Sequence, residues 1–434
     1  MRWNQRITIK DLPLYIGQTV TLPGWIQFSR KSSQVRFLGF RDGSGLIQAL
    51  LIKGETPEEV FGLWSELRQE ASVSITGEVA ACEQGPLGVE IKVSHIDILG
   101  TGGDFPLGRK EHGPDFLHNL RHLWLRSKKQ VALFQIRDQV IQAIHEFLWS
   151  QSFVKMDSPI LTGTVGEDPK GLFKLDYFDL GPAYLAQTGQ LYLEASIFAH
   201  GRVFCFGPTF RAEKSKTRRH LAEFWMLEAE MAFFDAQDNI DLQEDLIHFI
   251  LNRVLERCLA PLEVLERDLA PLKRSLEPFV RLDYKDAVNL LAQIGPELVD
   301  GDDLGATHET ALGEHFGKPV FVMDYPKAVK AFYMKEHPEE PTRVKCADLI
   351  APEGHGEIIG GSQREEDIDK ILARLAEAGL APETYDWYLD LRRYGSVVHS
   401  GFGIGLERLV GWMAGMHHIR ECIPFPRMME RLTP

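Results

Sequence analysis

The first hundred residues carry apolar and β-branched positions in five short runs, at Gln18 to Phe28, Gln34 to Arg41, Leu46 to Ile52, Ala71 to Ala80 and Gly88 to Leu99. Runs of this length and composition predict strands that turn one face to a core. Turn formers, Asp42-Gly43-Ser44-Gly45 and Glu83-Gln84-Gly85-Pro86, separate them. Between the third and fourth runs, Thr56 to Glu70 sets Val60, Phe61, Leu63, Trp64 and Leu67 at helical spacing, which predicts an amphipathic helix. Five strands with a helix after the third predict an N-terminal β-barrel of the OB-fold type over residues 1–100.

Gly100-Thr101-Gly102-Gly103, followed by Pro106, Gly108 and Gly113-Pro114, has the composition of a connector and predicts a hinge over 101–125. From 126 to 434 the pattern is mixed α/β. Val131, Phe134, Ile136, Val140, Ile144 and Leu148 predict a long amphipathic helix from Lys129 to Trp149, and Val154 to Leu161 predicts an extended edge. Gly201 to Phe234 has two apolar, strand-like ends around a cationic middle, Arg211 to His220. It predicts an antiparallel pair joined by a basic loop.

Composition adds limits. The chain has 434 residues, 44% of them hydrophobic and 25% charged, enough for two separate cores. No apolar run approaches the roughly 20 residues of a membrane span. Met1 to Arg6 lacks the apolar stretch of a signal peptide, so the expectation is a cytoplasmic protein with no membrane partner. Cys82, Cys205, Cys258, Cys346 and Cys422 are scattered, which predicts reduced thiols rather than a zinc knuckle or disulfide framework. The formal charge of -14 argues against indiscriminate nucleic-acid binding but leaves room for a local basic surface.

Two segments carry candidate chemistry. Lys214, Lys216, Arg218, Arg219 and His220 together suit a solvated loop tip. Arg211 is different, because it emerges at the end of an apolar strand two residues before Glu213; a planar guanidinium there suits phosphate oxygens. With His220, Phe224 and Glu228, it makes a set able to hold a phosphate, stack a base and read polar groups. The second segment, Ser400-Gly401-Phe402-Gly403-Ile404-Gly405-Leu406-Glu407-Arg408, lacks the Lys-Ser/Thr ending of a P-loop and reads as a strand-to-helix junction presenting Arg408.

Gly-Phe-Gly-Ile-Gly-Leu-Glu-Arg resembles motif 3 of the class II aminoacyl-tRNA synthetases. Phe210-Arg211-Ala212-Glu213 through Phe224 and Glu228 resembles their motif 2, and the helix and edge ending at Pro159 resembles motif 1. The resemblance covers nearly the whole chain and is to the aspartyl, asparaginyl and lysyl group. It implies an anticodon-binding OB-fold, an α/β class II catalytic domain with an antiparallel sheet over 126–434, and a homodimer joined at motif 1. Aspartyl members place a lysine near a Gln-Ser-Pro segment; the equivalent here, Gln187-Thr188-Gly189-Gln190, has no lysine between Lys174 and Lys214. That favours a neutral amide over a carboxylate substrate.

The implied substrates are ATP, L-asparagine and tRNA(Asn), with Mg2+. An aspartyl enzyme and a tRNA-independent asparagine synthetase paralogue are the alternatives. The resemblance assigns Arg211 to the α-phosphate and substrate carboxylate, Arg408 to the γ-phosphate, and Phe224, Glu213, His220 and Glu357 to the rest of the ATP site. It assigns Asp348 and Glu357 to the metal, and Glu167, or Asp168 in its place, with Gln187 to the α-amino group. Glu228 and Arg364 fall to the side-chain amide, and Phe37 and Gln48 to the anticodon. Phe37 in a strand also suits a barrel core.

Overall fold

The computed structural model describes residues 6–85, 87–108, 110–167 and 169–434. The chain divides into two compact units, one up to His112 and one from Gly113.

In the first unit β1 (Thr19–Lys31), β2 (Val35–Arg41), β3 (Leu46–Ile52), β4 (Ser72–Ala81) and β5 (Val89–Gly100) close into a barrel in the order β1-β2-β3-β5-β4. Alternation decides the faces: Val20, Leu22 and Ile26 of β1 and Leu38 and Phe40 of β2 are buried in the barrel core. Phe37 falls on the other face, opposite Arg30 and Leu50, and is half-buried. Leu38 and Phe40 therefore take the core positions, and Phe37 does not. The helix expected over Thr56 to Glu70 is shorter: α1 covers Glu58–Gly62, followed by one 3-10 turn, Leu63–Ser65. Thr56 is tied instead to the strands, accepting from Ile52 N–H at 2.9 Å and donating to Val93 O at 3.2 Å. At the other end Glu70 adopts φ 66, which no helix continues.

The connector is shorter than 101–125, because α2 (Pro114–Asn119) and α3 (Arg121–Trp124) already belong to the second unit. Arg121 is fully buried; its guanidinium donates to the carbonyls of Pro424, Glu421 and Ile423 at 2.8, 2.9 and 2.8 Å. The long helix α4 runs from Lys128 to Ser150, started by the Ser127 side chain accepting from Gln130 N–H. Val131 is 40% exposed, and Ala132 and Leu133 take the buried positions of that turn. The expected edge pairs over only two residues, β6 (Val154–Lys155).

A small sheet of β7 (Leu161–Thr162), β8 (Lys174–Asp176) and β9 (Pro182–Leu185) precedes α5 (Gln190–His200). Then come β10 (Arg202–Phe210), β11 (Glu223–Ala232), the helix α6 (Ala236–Arg257), and β12 (Val280–Asp283), β13 (Val320–Met323), β14 (Cys346–Ala351), β15 (Gly356–Gln363) and β16 (His399–Gly405). The main sheet has the order β12-β13-β14-β15-β16-β11-β10-β6. It is antiparallel except for β12 with β13 and β10 with β6. One face of β11 presents Leu227, Ala229 and Met231 to a core shared with α4 and α6. The other face is free to form a site. No described helix is long and apolar enough to cross a membrane.

Candidate active site

The free face of β11 carries Phe224, Met226, Glu228 and Glu230, at every second residue, and all four line a cleft of about 340 Å³. That volume lies in the range of small-molecule sites, roughly 300–1,000 Å³. Strand register builds its floor: Asp348, Gly360, Gly403 and Glu228 stand opposite one another across β14, β15, β16 and β11. Opposed residues share a face, so two glycines lie between two carboxylates. A Cβ on Gly403 would come within 2.6 Å of Met226 Cε, and one on Gly360 within 3.1 Å of Glu357 Oε1 and 3.6 Å of Asp348 Oδ1. The absent side chains keep the floor open.

At one end of the cleft the groups are cationic. Arg211 leaves β10 with its guanidinium 5.4 Å from the Phe224 ring centre, and its Nε is buried without a hydrogen-bond partner among the described residues. Arg408, at the start of the helix Leu406–Ala414, donates to Glu357 O at 2.8 Å and lies 3.4 Å from Glu357 Oε2. His220 stands 3.4 Å from Glu213. Burial, then Arg408, lowers the His220 pKa, which favours the neutral imidazole. Arg219, from the loop read as a solvated tip, instead pairs with Glu309 at 2.6 Å, and Glu309 accepts Glu357 N–H at 3.0 Å.

Asp348 and Glu357 flank the space over Gly360. Burial pushes the Asp348 carboxyl above its ordinary range; Lys330, 2.7 Å away, pulls it back and Glu357 pushes it further up. Two crowded oxygen donors beside a phosphate-binding end fit a hard cation such as Mg2+. The described residues contain no group of three or more His, Cys, Asp or Glu able to hold a metal, so the remaining oxygens would come from phosphate and water.

The other end is buried. Arg364 is 3% exposed; its Nε–Nη2 edge is engaged by Glu230 and its Nη1 donates to Ser362 Oγ at 2.7 Å. Burial disfavours the guanidinium, but Glu230 outweighs that and raises its pKa. Behind it Glu194 accepts from Arg392 at 2.8 Å, Tyr388 OH at 2.7 Å and Gln190 Nε2 at 3.0 Å, and His399 Nε2 lies 3.0 Å away. Burial works against ionised Glu194, yet Arg392 and His399 hold its pKa below the ordinary range. Glu167 meets the Tyr333 hydroxyl at 3.2 Å on the cleft wall.

The cleft thus brings together Arg211, Glu213, His220, Phe224, Glu228, Glu357, Asp348, Arg364, Arg408 and Glu167. Gln187 is not in its lining: the side chain is buried and donates to Gly171 O at 3.1 Å. Three residues on, at the first position of α5, Gln190 lines the cleft instead. Asp168 lies outside the described residues. Glu230, Gln190 and Lys330 were missed in the sequence. Period-two spacing from Glu228 was the signal that could have found Glu230. Phe37 and Gln48 stand on one face of the barrel, with Gln48 opposite Gly39.

A family model described as tRNA synthetases class II (D, K and N) matches residues 114–429, and one described as OB-fold nucleic acid binding domain matches residues 20–99. An asparagine–tRNA ligase of Chloroflexus aurantiacus is 52% identical over 433 residues, with 98% of each chain covered. One of Herpetosiphon aurantiacus is 51% identical over 439 residues, again with 98% of each covered. The crystal structure of asparaginyl-tRNA synthetase from Pyrococcus horikoshii complexed with asparaginyl-adenylate superposes with a TM-score of 0.96 at 43% identity, covering 99% of this chain and 100% of that one. The chain therefore belongs to the class II tRNA synthetases of the D, K and N group and, within that group, to the asparagine–tRNA ligases.

Proposed function

We propose that the chain joins L-asparagine to ATP as asparaginyl-adenylate and transfers the asparaginyl group to tRNA(Asn). The observation that carries this reading is the pairing of an end lined by arginines, where Arg211 keeps a buried Nε without a partner among the described residues, with a buried end walled by Glu228, Glu230 and Arg364. In the first step an oxygen of the asparagine carboxylate bonds to the α-phosphorus, the bond to the bridging oxygen breaks, and pyrophosphate leaves. In the second a terminal ribose hydroxyl of the tRNA attacks the acyl carbon, and AMP leaves.

Such steps depend on alignment and charge stabilisation more than on a protein base. Arg211 bridges the carboxylate and the α-phosphate, holding the reacting atoms together. Phe224 supports the adenine from below, Arg408 covers it and reaches the γ-phosphate, and Glu213 and His220 complete that end. Asp348 and Glu357 would hold Mg2+, which when bound neutralises phosphate charge. Glu167, with Gln190 in the place first given to Gln187, receives the α-amino group. The Nη1–Nη2 edge of Arg364 meets the side-chain carbonyl, and Glu228 accepts from the amide. Phe37 and Gln48 receive an anticodon base by stacking and hydrogen bonding.

The same reading gives a homodimer. Trp149 and Val154, in the motif 1 segment, and Ile160 and Leu161, just beyond it, are 57%, 40%, 44% and 44% exposed, a concentration of apolar surface that association would cover. Sedimentation velocity is expected to give twice the 49.2 kDa chain mass. The activity is tested by ATP–pyrophosphate exchange with asparagine and aspartate side by side, followed by charging of tRNA(Asn). Faster exchange with aspartate overturns the substrate assignment.

A further inference from the structure

The Glu228 carboxylate has more partners than a substrate-facing group needs. Its Oε1 accepts from the Thr188 hydroxyl, and its Oε2 accepts from Gly189 N–H at 2.8 Å and from the Cys205 thiol at 3.5 Å. Gly189 is the N-cap of α5, so the carboxylate sits at the positive end of a helix. Cys205 stands directly opposite Glu228 on β10, and burial raises its pKa well above the usual range, which keeps the sulfur a donor. An ionised carboxylate has about four acceptor sites. Three are filled, and the one left is on Oε1.

We propose that Thr188, Gly189 and Cys205 are positioning residues that fix Glu228 as a carboxylate with one acceptor site open, and thereby make the cleft select an amide over a carboxylate. The inference rests on the reading of Glu228 as the group that receives the substrate amide. An ionised Glu228 accepts an N–H from asparagine and repels aspartate, whereas a protonated one would donate its O–H to aspartate. Burial, with Glu167 adding to it, raises the Glu228 pKa above its ordinary range, and Thr188, Gly189 and Cys205 limit that rise. Arg364 and Glu230 are the other charged groups on that wall. The geometry leaves no slack: a Cβ at Gly189 would collide with Ser158 Oγ and come within 3.0 Å of Cys205 Sγ.

Thr188→Val keeps the shape and removes the donor to Glu228, together with the acceptor of Gln190 N–H. In pyrophosphate exchange by the full chain it is expected to raise KM for asparagine about tenfold or more, the size of a hydrogen bond to a charged group, and to lower the preference over aspartate. The acid limb of kcat/KM for asparagine should move to higher pH, while KM for ATP stays unchanged; Thr188→Ser should restore all three properties. Cys205→Ala, which leaves the helix untouched, should move the acid limb the same way by less. Unchanged KM and acid limb in both Thr188→Val and Cys205→Ala, with Glu228→Gln losing asparagine selection, overturns the positioning role alone. Undiminished asparagine selection in Glu228→Gln overturns the reading of Glu228 and the positioning role together.

Discussion

At the amino-acid end of the cleft Arg364 faces Glu230 and Arg392 faces Glu194, with side chains 3%, 1%, 0% and 0% exposed; at the phosphate end Arg408 and His220 keep 26% and 36% of theirs. In the first set each guanidinium has its own carboxylate, buried with it. The second keeps its cations accessible; burial, then Arg408, depresses His220, and burial, then Arg267 and Arg219, holds His355, in the turn between β14 and β15, at about 3. The difference follows from the two substrates. A neutral amide brings no charge, so buried arginines beside it need partners within the fold, whereas a triphosphate brings several negative charges to cations left accessible in the cleft.

Removing one partner of the closed set is the harshest test. Glu230→Ala strands a buried guanidinium, and a loss of about 3–5 kcal/mol in stability is expected from urea unfolding; a loss under 1 kcal/mol would break the contrast. Arg408→Ala should do the reverse. Its partly exposed side chain predicts little change in stability, but exchange should fall roughly 10²–10³-fold, the effect of removing one donor to developing charge, with tRNA binding retained. Undiminished exchange would refute the role of Arg408.

The smallest effect is on pH. His355 has a depressed folded pKa, so the unfolded chain takes up its proton first and stability falls as pH drops from 6.5 toward 3. Between pH 6.5 and 5, His355→Gln should lose about 1–2 kcal/mol less than the parent. Equal losses would mean that burial and the two arginines do not depress His355.

The barrel strands and the hairpin of β10 and β11 were legible because each has one buried face, and alternation records that face directly. Arg211 and Arg408 were legible because they stand beside local landmarks, a strand end and a glycine-rich junction. Gln190 was missed in favour of Gln187 because the choice depends on how the start of α5 is set against the sheet, which spacing alone does not encode. Arg219 was read as a solvated cation, since its partner Glu309 lies 90 residues away. Val131 suited the apolar stripe of α4 by period, yet Ala132 and Leu133 take the buried positions of its turn. The helix over 56 to 70 failed at both ends for local reasons, the Thr56 side chain capping a strand and the left-handed Glu70.

Arg121 has a consequence for how the chain is made. Its guanidinium donates to carbonyls some 300 residues downstream, and Arg137 of α4 reaches the neighbouring Cys422 carbonyl at 2.8 Å. A buried guanidinium without acceptors is strongly unfavourable, so the second unit cannot settle into its native packing while its last segment is still inside the ribosome. The barrel, built from contacts within the first hundred residues or so, has no such wait. Synthesis from the amino end therefore completes the barrel's contacts well before those of the catalytic unit, whose Arg121 has to wait for the segment around 421 to 424.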